Sequence, residues 1–361
     1  MARQSTGKLV VPEGEPPQSG PAEQPVQDPL FHEFASQWFD SQRHGVAPRS
    51  VEDYRWGLER HLLPFFKGHR LSQITIAEVD RYRAYKVDER EKGRSDRPLG
   101  NRSINATITL LAQILELAFE YGHISSNPAR GRRRRLKAAM PRRTWLEPEQ
   151  IKPLLDATVR GLRAGKTMPD PRTRALFATA ICTGMRAGEL LALRWSEVDL
   201  SRGTITVLQS KTEAGSGREI DIWPELGELL VSYRQTAEHR DAGDHVFATA
   251  SGKADTRSNI AKRLKRAVTR ANASLAEQAI PAIDSDLSPH SLRRTFASLL
   301  YLRGENPVYV MQQMGHADPK LALRIYTRVT AEQRRRGPAV RLIGVLDGAR
   351  WTDAGAQGTA P

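Results

Sequence analysis

Between Pro29 and about Ser126, apolar side chains return every three or four residues, the spacing that puts them on one face of a helix. In "LFHEFASQWFDSQ" the stripe is Phe31, Phe34, Ala35, Trp38 and Phe39, and in "RSINATITLLAQILELAFEYG" it is Ile104, Ile108, Leu111, Leu115 and Ala118. A helix is also expected from Ser50 to Leu63, ended by Pro64, and another follows Thr75, which suits a cap for "IAEVDRYRAYKVDER". These segments predict a small all-helical domain over residues 29–126.

The pattern changes after Thr144. "TWLEPEQIKPLLDAT" predicts a helix capped by Glu147 or Thr144, with Pro148 in its first turn. "GTITVLQS" and "GREIDI" alternate as strands do, and the polar turn "KTEAGS" between them predicts a β-hairpin. Helices return over about 258–277, 289–303, 307–314 and 319–329. The fold expected is therefore mainly α with a small β-hairpin or sheet (α+β), in two domains.

Between the domains, "NPARGRRRRLKAAMPRR" at 127–143 reads as an exposed basic linker, with Arg132, Arg133, Arg134, Arg135, Arg142 and Arg143 as candidate contacts to a polyanion backbone. Residues 1–28 are rich in Pro, Gly, Gln and Glu and are expected to be a disordered tail. The catalytic-type domain is taken as 144–335. Residues 336–361 form a C-terminal tail with a mobile end, whose "PAVRLIGVL" could pack on its own domain or dock on a neighbouring protomer.

Charge narrows the partner. With 55 Lys+Arg against 41 Asp+Glu, the net charge of +14 favours nucleic acid over an acidic small molecule. The one cysteine, Cys182, lies in the apolar run "LFATAIC" and is expected to be a buried core thiol; alone it rules out an intramolecular disulfide and weighs against a Cys-based zinc site. No run of about 18 apolar residues suggests a membrane span, so a cytoplasmic protein without a membrane partner is expected.

Several residues could carry chemistry. In "TGMRAGELLALRW", Thr183 and Gly184 suit a helix start, and Arg186 and Glu189 stand three apart, in contact range; a guanidinium there can grip a phosphate through two parallel hydrogen bonds. In "LSPHSLRRTFASLLYLRG", Ser288 caps, Pro289 begins and Gly304 stops a helix. His290 and Arg293 share its N-terminal end, where the dipole favours an anion, while Arg294 points elsewhere. Gly315 ends the next helix and leaves His316 at a corner. Tyr326 then lies about 100° round from the buried stripe of Leu321, Ile325 and Val329, so its hydroxyl can stand at the edge of the packed face.

Taken in order, Arg186 with Glu189, Lys211 in "QSKTEAGSGREI", His290 and Arg293, His316 in "MGH" and Tyr326 in "RIYTRV" resemble the tyrosine recombinase (phage integrase) family over roughly residues 30–335. The resemblance implies a helical core-binding domain and a catalytic domain closing as a C-shaped clamp on duplex DNA. It implies cleavage and rejoining through a 3′-phosphotyrosyl intermediate by a homotetramer that passes through a Holliday junction, from protein that is a monomer or weak oligomer when free. Tyr326 would be the nucleophile; Arg186, Arg293 and His316 would hold the phosphate, His290 would assist proton transfer, Lys211 would protonate the leaving oxygen and Glu189 would support. Neither ATP nor a catalytic metal is expected; a directionality or host accessory factor could join. These motifs serve integrases of phages and mobile elements and Xer-type recombinases alike. The alternatives are a type IB topoisomerase-like enzyme, against which the helical domain argues, and a non-cleaving DNA-binding accessory protein or repressor.

Overall fold

The computed structural model describes residues 28–93, 98–139, 144–163, 166–210, 212–315, 326–327, 340–343, 345–347 and 350–353. The chain divides into two units at residue 140.

The first unit is helical: α1 (Phe31–Gln42), α2 (Pro48–Gly57), α3 (Leu63–Phe66), α4 (Ile76–Glu91) and α5 (Asn101–Glu120). The stripes expected from the sequence form its core. Phe31, Phe34, Ala35 and Trp38 of α1 are buried, as are Ile104, Ile108, Leu111, Leu115 and Ala118 of α5. Each buried Leu or Ile side chain contributes about 1.5–3 kcal/mol, so α5 anchors the unit. Thr75 caps α4 by accepting from the Glu78 amide at 3.4 Å, and the buried Tyr82 hydroxyl donates to Thr107 at 2.9 Å, locking α4 to α5.

The chain does not stop at Pro64. Residues Leu58–Leu62 form a π turn between α2 and α3, with Pro64 in the first turn of α3. Proline removes an amide donor and crowds the carbonyl four residues back; a widened turn accommodates both.

The arginine run departs from an exposed linker. Arg83 donates to the Arg133 carbonyl at 2.8 Å, Arg134 pairs with Asp80 at 2.9 Å, and Arg135 reaches the Asn105 carbonyl at 2.8 Å and the Thr109 hydroxyl. Asn105 also holds both the amide and the carbonyl of Leu136. Residues 132–137 thus lie along α4 and α5, because Asn105 and Asp80 offer their backbone and guanidinium groups better partners than solvent. Arg132 and Arg133 keep exposed side chains. Arg142 and Arg143 lie outside the described residues, as do residues 1–27 of the expected tail. Asp28, placed in that tail, accepts from the Ser72 hydroxyl at 2.6 Å.

The second unit contains α6 (Pro148–Asp156), the hairpin β1 (Val159–Arg163) and β2 (Lys166–Pro169), α7 (Pro171–Thr183), α8 (Ala187–Ala192), and a three-stranded antiparallel sheet of β3 (Val198–Asp199), β4 (Thr204–Val207) and β5 (Arg218–Asp221). It continues with α9 (Pro224–Thr236), α10 (Arg257–Glu277), α11 (Pro289–Leu302) and α12 (Pro307–Met314), and closes with the antiparallel pair β6 (Val340–Ile343) and β7 (Arg350–Asp353). The expected hairpin is β4–β5, registered Thr204 to Asp221 and Val207 to Arg218. The architecture is mainly α with small antiparallel sheets. Cys182 is fully buried in α7, and burial pushes its thiol far up.

The helices α7 and α9, the β1–β2 hairpin and the short strand β3 go beyond the expected elements. Within the expected C-terminal tail, β6 and β7 pair, and Val345 and Leu346 are buried in this unit's own core, with the Leu346 amide donating to Glu225 at 3.3 Å; the end expected to be mobile lies outside the described residues. The helix expected over 319–329 lies outside the described residues except Tyr326 and Thr327. No helix among the described residues is long and apolar enough to cross a membrane.

Candidate functional site

The site is built where α7 gives way to α8. Gly184 ends α7 at φ +60°, so it stops a helix where a helix start was expected. A Cβ there would lie 2.4 Å from Cδ1 of Phe296, so glycine is required by both backbone and space. Arg186 is the N-cap of α8. Its amide donates to Glu189 Oε2 and its Nη1 to Glu189 Oε1, both at 2.8 Å, so the predicted pair is a cap and an ion pair at once.

The β4–β5 loop supplies the next wall. Arg186 Nη1 also donates to the Ser210 hydroxyl at 2.8 Å and Nη2 to Thr212 at 3.3 Å, while Ser210 donates to Glu189 Oε1 at 2.5 Å. Lys211 lies outside the described residues; its neighbours on either side both hold Arg186.

Three arginines then meet the end of α12. Arg218 donates to the Gln313 carbonyl at 3.1 Å, Arg293 to the Met314 carbonyl, and Arg186 to the Gly315 carbonyl at 3.1 Å. Arg293, 2% exposed, also reaches the Gly184 carbonyl. These carbonyls are the negative end of the α12 dipole, which explains why cations collect there. Gly315 closes α12 at φ +59° as the sequence suggests; His316, next in the chain, lies outside the described residues.

Glu189 is the carboxylate at the centre. Burial alone would raise it, but hydrogen bonds from Arg218, Ser210 and both the amide and side chain of Arg186 hold it down at about 2. Burial, with Arg186 nearby, pushes the Arg293 guanidinium well below its ordinary value. Three guanidinium groups around one carboxylate leave the site cationic, able to bind a tetrahedral anion through several charge-assisted donors.

His290 is exposed in the first turn of α11, one turn before Arg293, and Ser288 is that helix's N-cap. Arg294, on a different side of α11 from Arg293, donates to the Thr144 carbonyl at 2.9 Å, a structural tie within the protein. Tyr326 is 39% exposed, with its ring edge-on to Tyr301 at 5.3 Å between centroids. That places it against α11 about two turns along from Arg293. Tyr301 is buried, and its burial, then Tyr326, hold its hydroxyl up at about 12; by exposure Tyr326 is the accessible phenol of this pair.

Sequence reasoning missed Ser210, Thr212 and Arg218. A signal for Arg218 existed: in "REID" it alternates with Ile220, and both face inward, leaving a charge on the buried face of a strand. Among the described residues no group of three or more His, Cys, Asp or Glu is placed to hold a metal ion.

The sequence model of the phage integrase family matches residues 144–333, and that of the phage integrase N-terminal SAM-like domain matches residues 30–86. Tyrosine recombinase XerD of Ralstonia nicotianae is 32% identical over 214 residues, 56% of this chain and 65% of that protein. Prophage integrase IntR of Escherichia coli K12 is 26% identical over 256 residues, 62% of this chain and 57% of that protein. This chain therefore spans under two thirds of either relative. In fold it is similar to the Tn1549 transposon integrase in complex with a circular intermediate DNA, with a TM-score of 0.67 at 18% identity over 84% of this chain and 98% of that one. It is likewise similar to a lambda integrase tetramer bound to a Holliday junction, with a TM-score of 0.63 at 17% identity over 85% of this chain and 82% of that one.

Proposed function

Because this chain belongs to the phage integrase family, we propose that it is a site-specific recombinase that cuts and rejoins duplex DNA through Tyr326. The observation that carries this reading is the cationic cluster in which Arg186 and Arg293 converge at the end of α12, around the buried Glu189.

The Tyr326 oxygen attacks a backbone phosphorus, forming a 3′-phosphotyrosyl bond as the bond to the 5′-oxygen breaks. The phenol proton leaves through His290, and the departing 5′-oxygen takes a proton from Lys211. A phenol is a weak nucleophile at neutral pH, so positioning and charge supply most of the acceleration. Arg186 and Arg293 exchange their carbonyl partners for the non-bridging oxygens and stabilise the charge that grows in the transition state, with His316 as a further donor. One phosphoester replaces another, so the cycle uses neither ATP nor, in this reading, a catalytic metal.

The assembly proposed is a homotetramer on two synapsed sites, supported by the fold shared with the lambda integrase tetramer on its Holliday junction. Both units bind the duplex, the exposed Arg132 and Arg133 contributing phosphate contacts, and an accessory factor sets direction in the cytoplasm.

The test is a nicked suicide duplex carrying a candidate att or dif-like site. The protein forms a covalent adduct on a denaturing gel, and Tyr326→Phe abolishes it; an equally strong adduct in that variant overturns the nucleophile.

A further inference from the structure

Resting on that reading, we infer that Arg218 is a positioning residue for cleavage: it fixes the Glu189 carboxylate that orients Arg186, and ties the end of α12 to the hairpin that carries Lys211. Its guanidinium spends all its reach inside the protein. Nη2 donates to Glu189 Oε2 at 2.7 Å, Nη1 to the Gly215 carbonyl at 2.6 Å and Nε to the Gln313 carbonyl at 3.1 Å, with the side chain only 6% exposed. A group so enclosed does not reach a substrate phosphate; it acts through what it holds.

What it holds is the geometry of the anion site. Glu189 Oε1 takes Arg186 and Ser210, and Oε2 takes the Arg186 amide and Arg218, so Arg218 supplies the side-chain donor that keeps the second oxygen in place. Arg218 also sits on the strand that leaves the β4–β5 loop, and it binds the carbonyl two residues before Gly315. A side chain on β5 thereby joins the β4–β5 loop, through the Gly215 carbonyl, to the end of α12, through the Gln313 carbonyl. Asp221, at the far end of β5, repeats the tie: it accepts from the Tyr309 hydroxyl at 2.6 Å and from the Gln313 side chain at 3.2 Å. Two inter-element links on one strand make a rigid joint, which is what a site aligned to within a fraction of an ångström requires.

Among the described residues, the charged groups facing Glu189 are Arg186 from its own helix, Arg218 from β5 and Arg293 from α11. Loss of Arg218 removes a charge-assisted hydrogen bond that holds the carboxyl down, so Glu189 then protonates nearer its ordinary value and releases Arg186.

The experiment compares Arg218→Met, Arg218→Lys and Glu189→Gln in the full chain. The Glu189 carboxyl is titrated by carbon-13 NMR, its signal assigned by its absence in Glu189→Gln, and single-turnover cleavage and duplex Kd are measured in parallel. In Arg218→Met the carboxyl titrates upward from about 2. The cleavage rate falls about 100-fold while Kd changes by less than about threefold. Arg218→Lys, which keeps the charge, restores part of both. An unmoved Glu189 titration overturns the inference, as does undiminished cleavage or a loss of binding that parallels the loss of rate. If the unsubstituted protein forms no covalent adduct, the recombinase reading fails, and the Glu189 titration still decides the role of Arg218.

Discussion

Gly315 rests against Gly215 so closely that a Cβ built on Gly315 would stand 2.7 Å from the Gly215 Cα. This contact brings the left-handed end of α12 onto the β4–β5 loop, and thereby brings the Gly315 carbonyl within 3.1 Å of Arg186. Two adjoining glycines let two backbone segments touch where side chains would hold them apart.

Gly315→Ala is therefore expected to destabilise the second unit. The left-handed φ costs roughly 1–2 kcal/mol and the steric conflict about as much again. The melting midpoint should fall by roughly 4–16 °C, with slower cleavage because the loop is displaced. An unchanged melting curve would mean that the loop yields to the methyl group.

Acid should expose the role of Glu189. Its carboxyl is held at about 2 in the folded protein against an ordinary 4.5, so the unfolded chain binds the proton more readily. The resulting stabilisation is complete above the ordinary value and is lost as pH falls through the folded one. Urea titrations between pH 5 and 2 should show the unsubstituted protein losing on the order of 3 kcal/mol more than Glu189→Gln. Parallel losses in the two proteins would contradict the assignment.

The arginine run should separate into two behaviours. Arg132→Ala and Arg133→Ala should weaken duplex binding and flatten its logarithmic salt dependence by about 0.9 for each phosphate no longer neutralised, without lowering the melting midpoint. Arg134→Ala breaks the pair with Asp80 and should instead cost the helical unit about 1 kcal/mol. If the first two leave the salt slope unchanged, those residues do not touch the backbone.

Local grammar was legible in the sequence where one segment contains its own cause. Thr75, Ser288 with Pro289, and Asn306 with Pro307 mark helix starts through the neighbouring few residues alone. The order of Arg186, Glu189, His290 and Arg293 was equally readable. Helix α7 was not, because every residue from Ala175 to Thr183 is buried and no polar face marks its period. The β4–β5 hairpin showed itself by alternation, but β1–β2 is short and shifts register between Val159 and Gly161, with basic residues where strand formers would be expected. Arg218 stayed hidden for another reason: its partners are at 189, 215 and 313, and no spacing along the chain predicts that meeting. The docking of Arg134 and Arg135 is similar, since a run of like charge gives no hint of an Asp80 or an Asn105 waiting in another helix.

The enclosure of Cys182 in α7 makes the chain silent toward thiol reagents while it is folded. With no other cysteine in the sequence, the rate at which a disulfide reagent reacts reports how often the second unit opens. A dye attached to a cysteine introduced at an exposed position such as Arg132 would be the sole label on the native protein, with nothing first removed from the core.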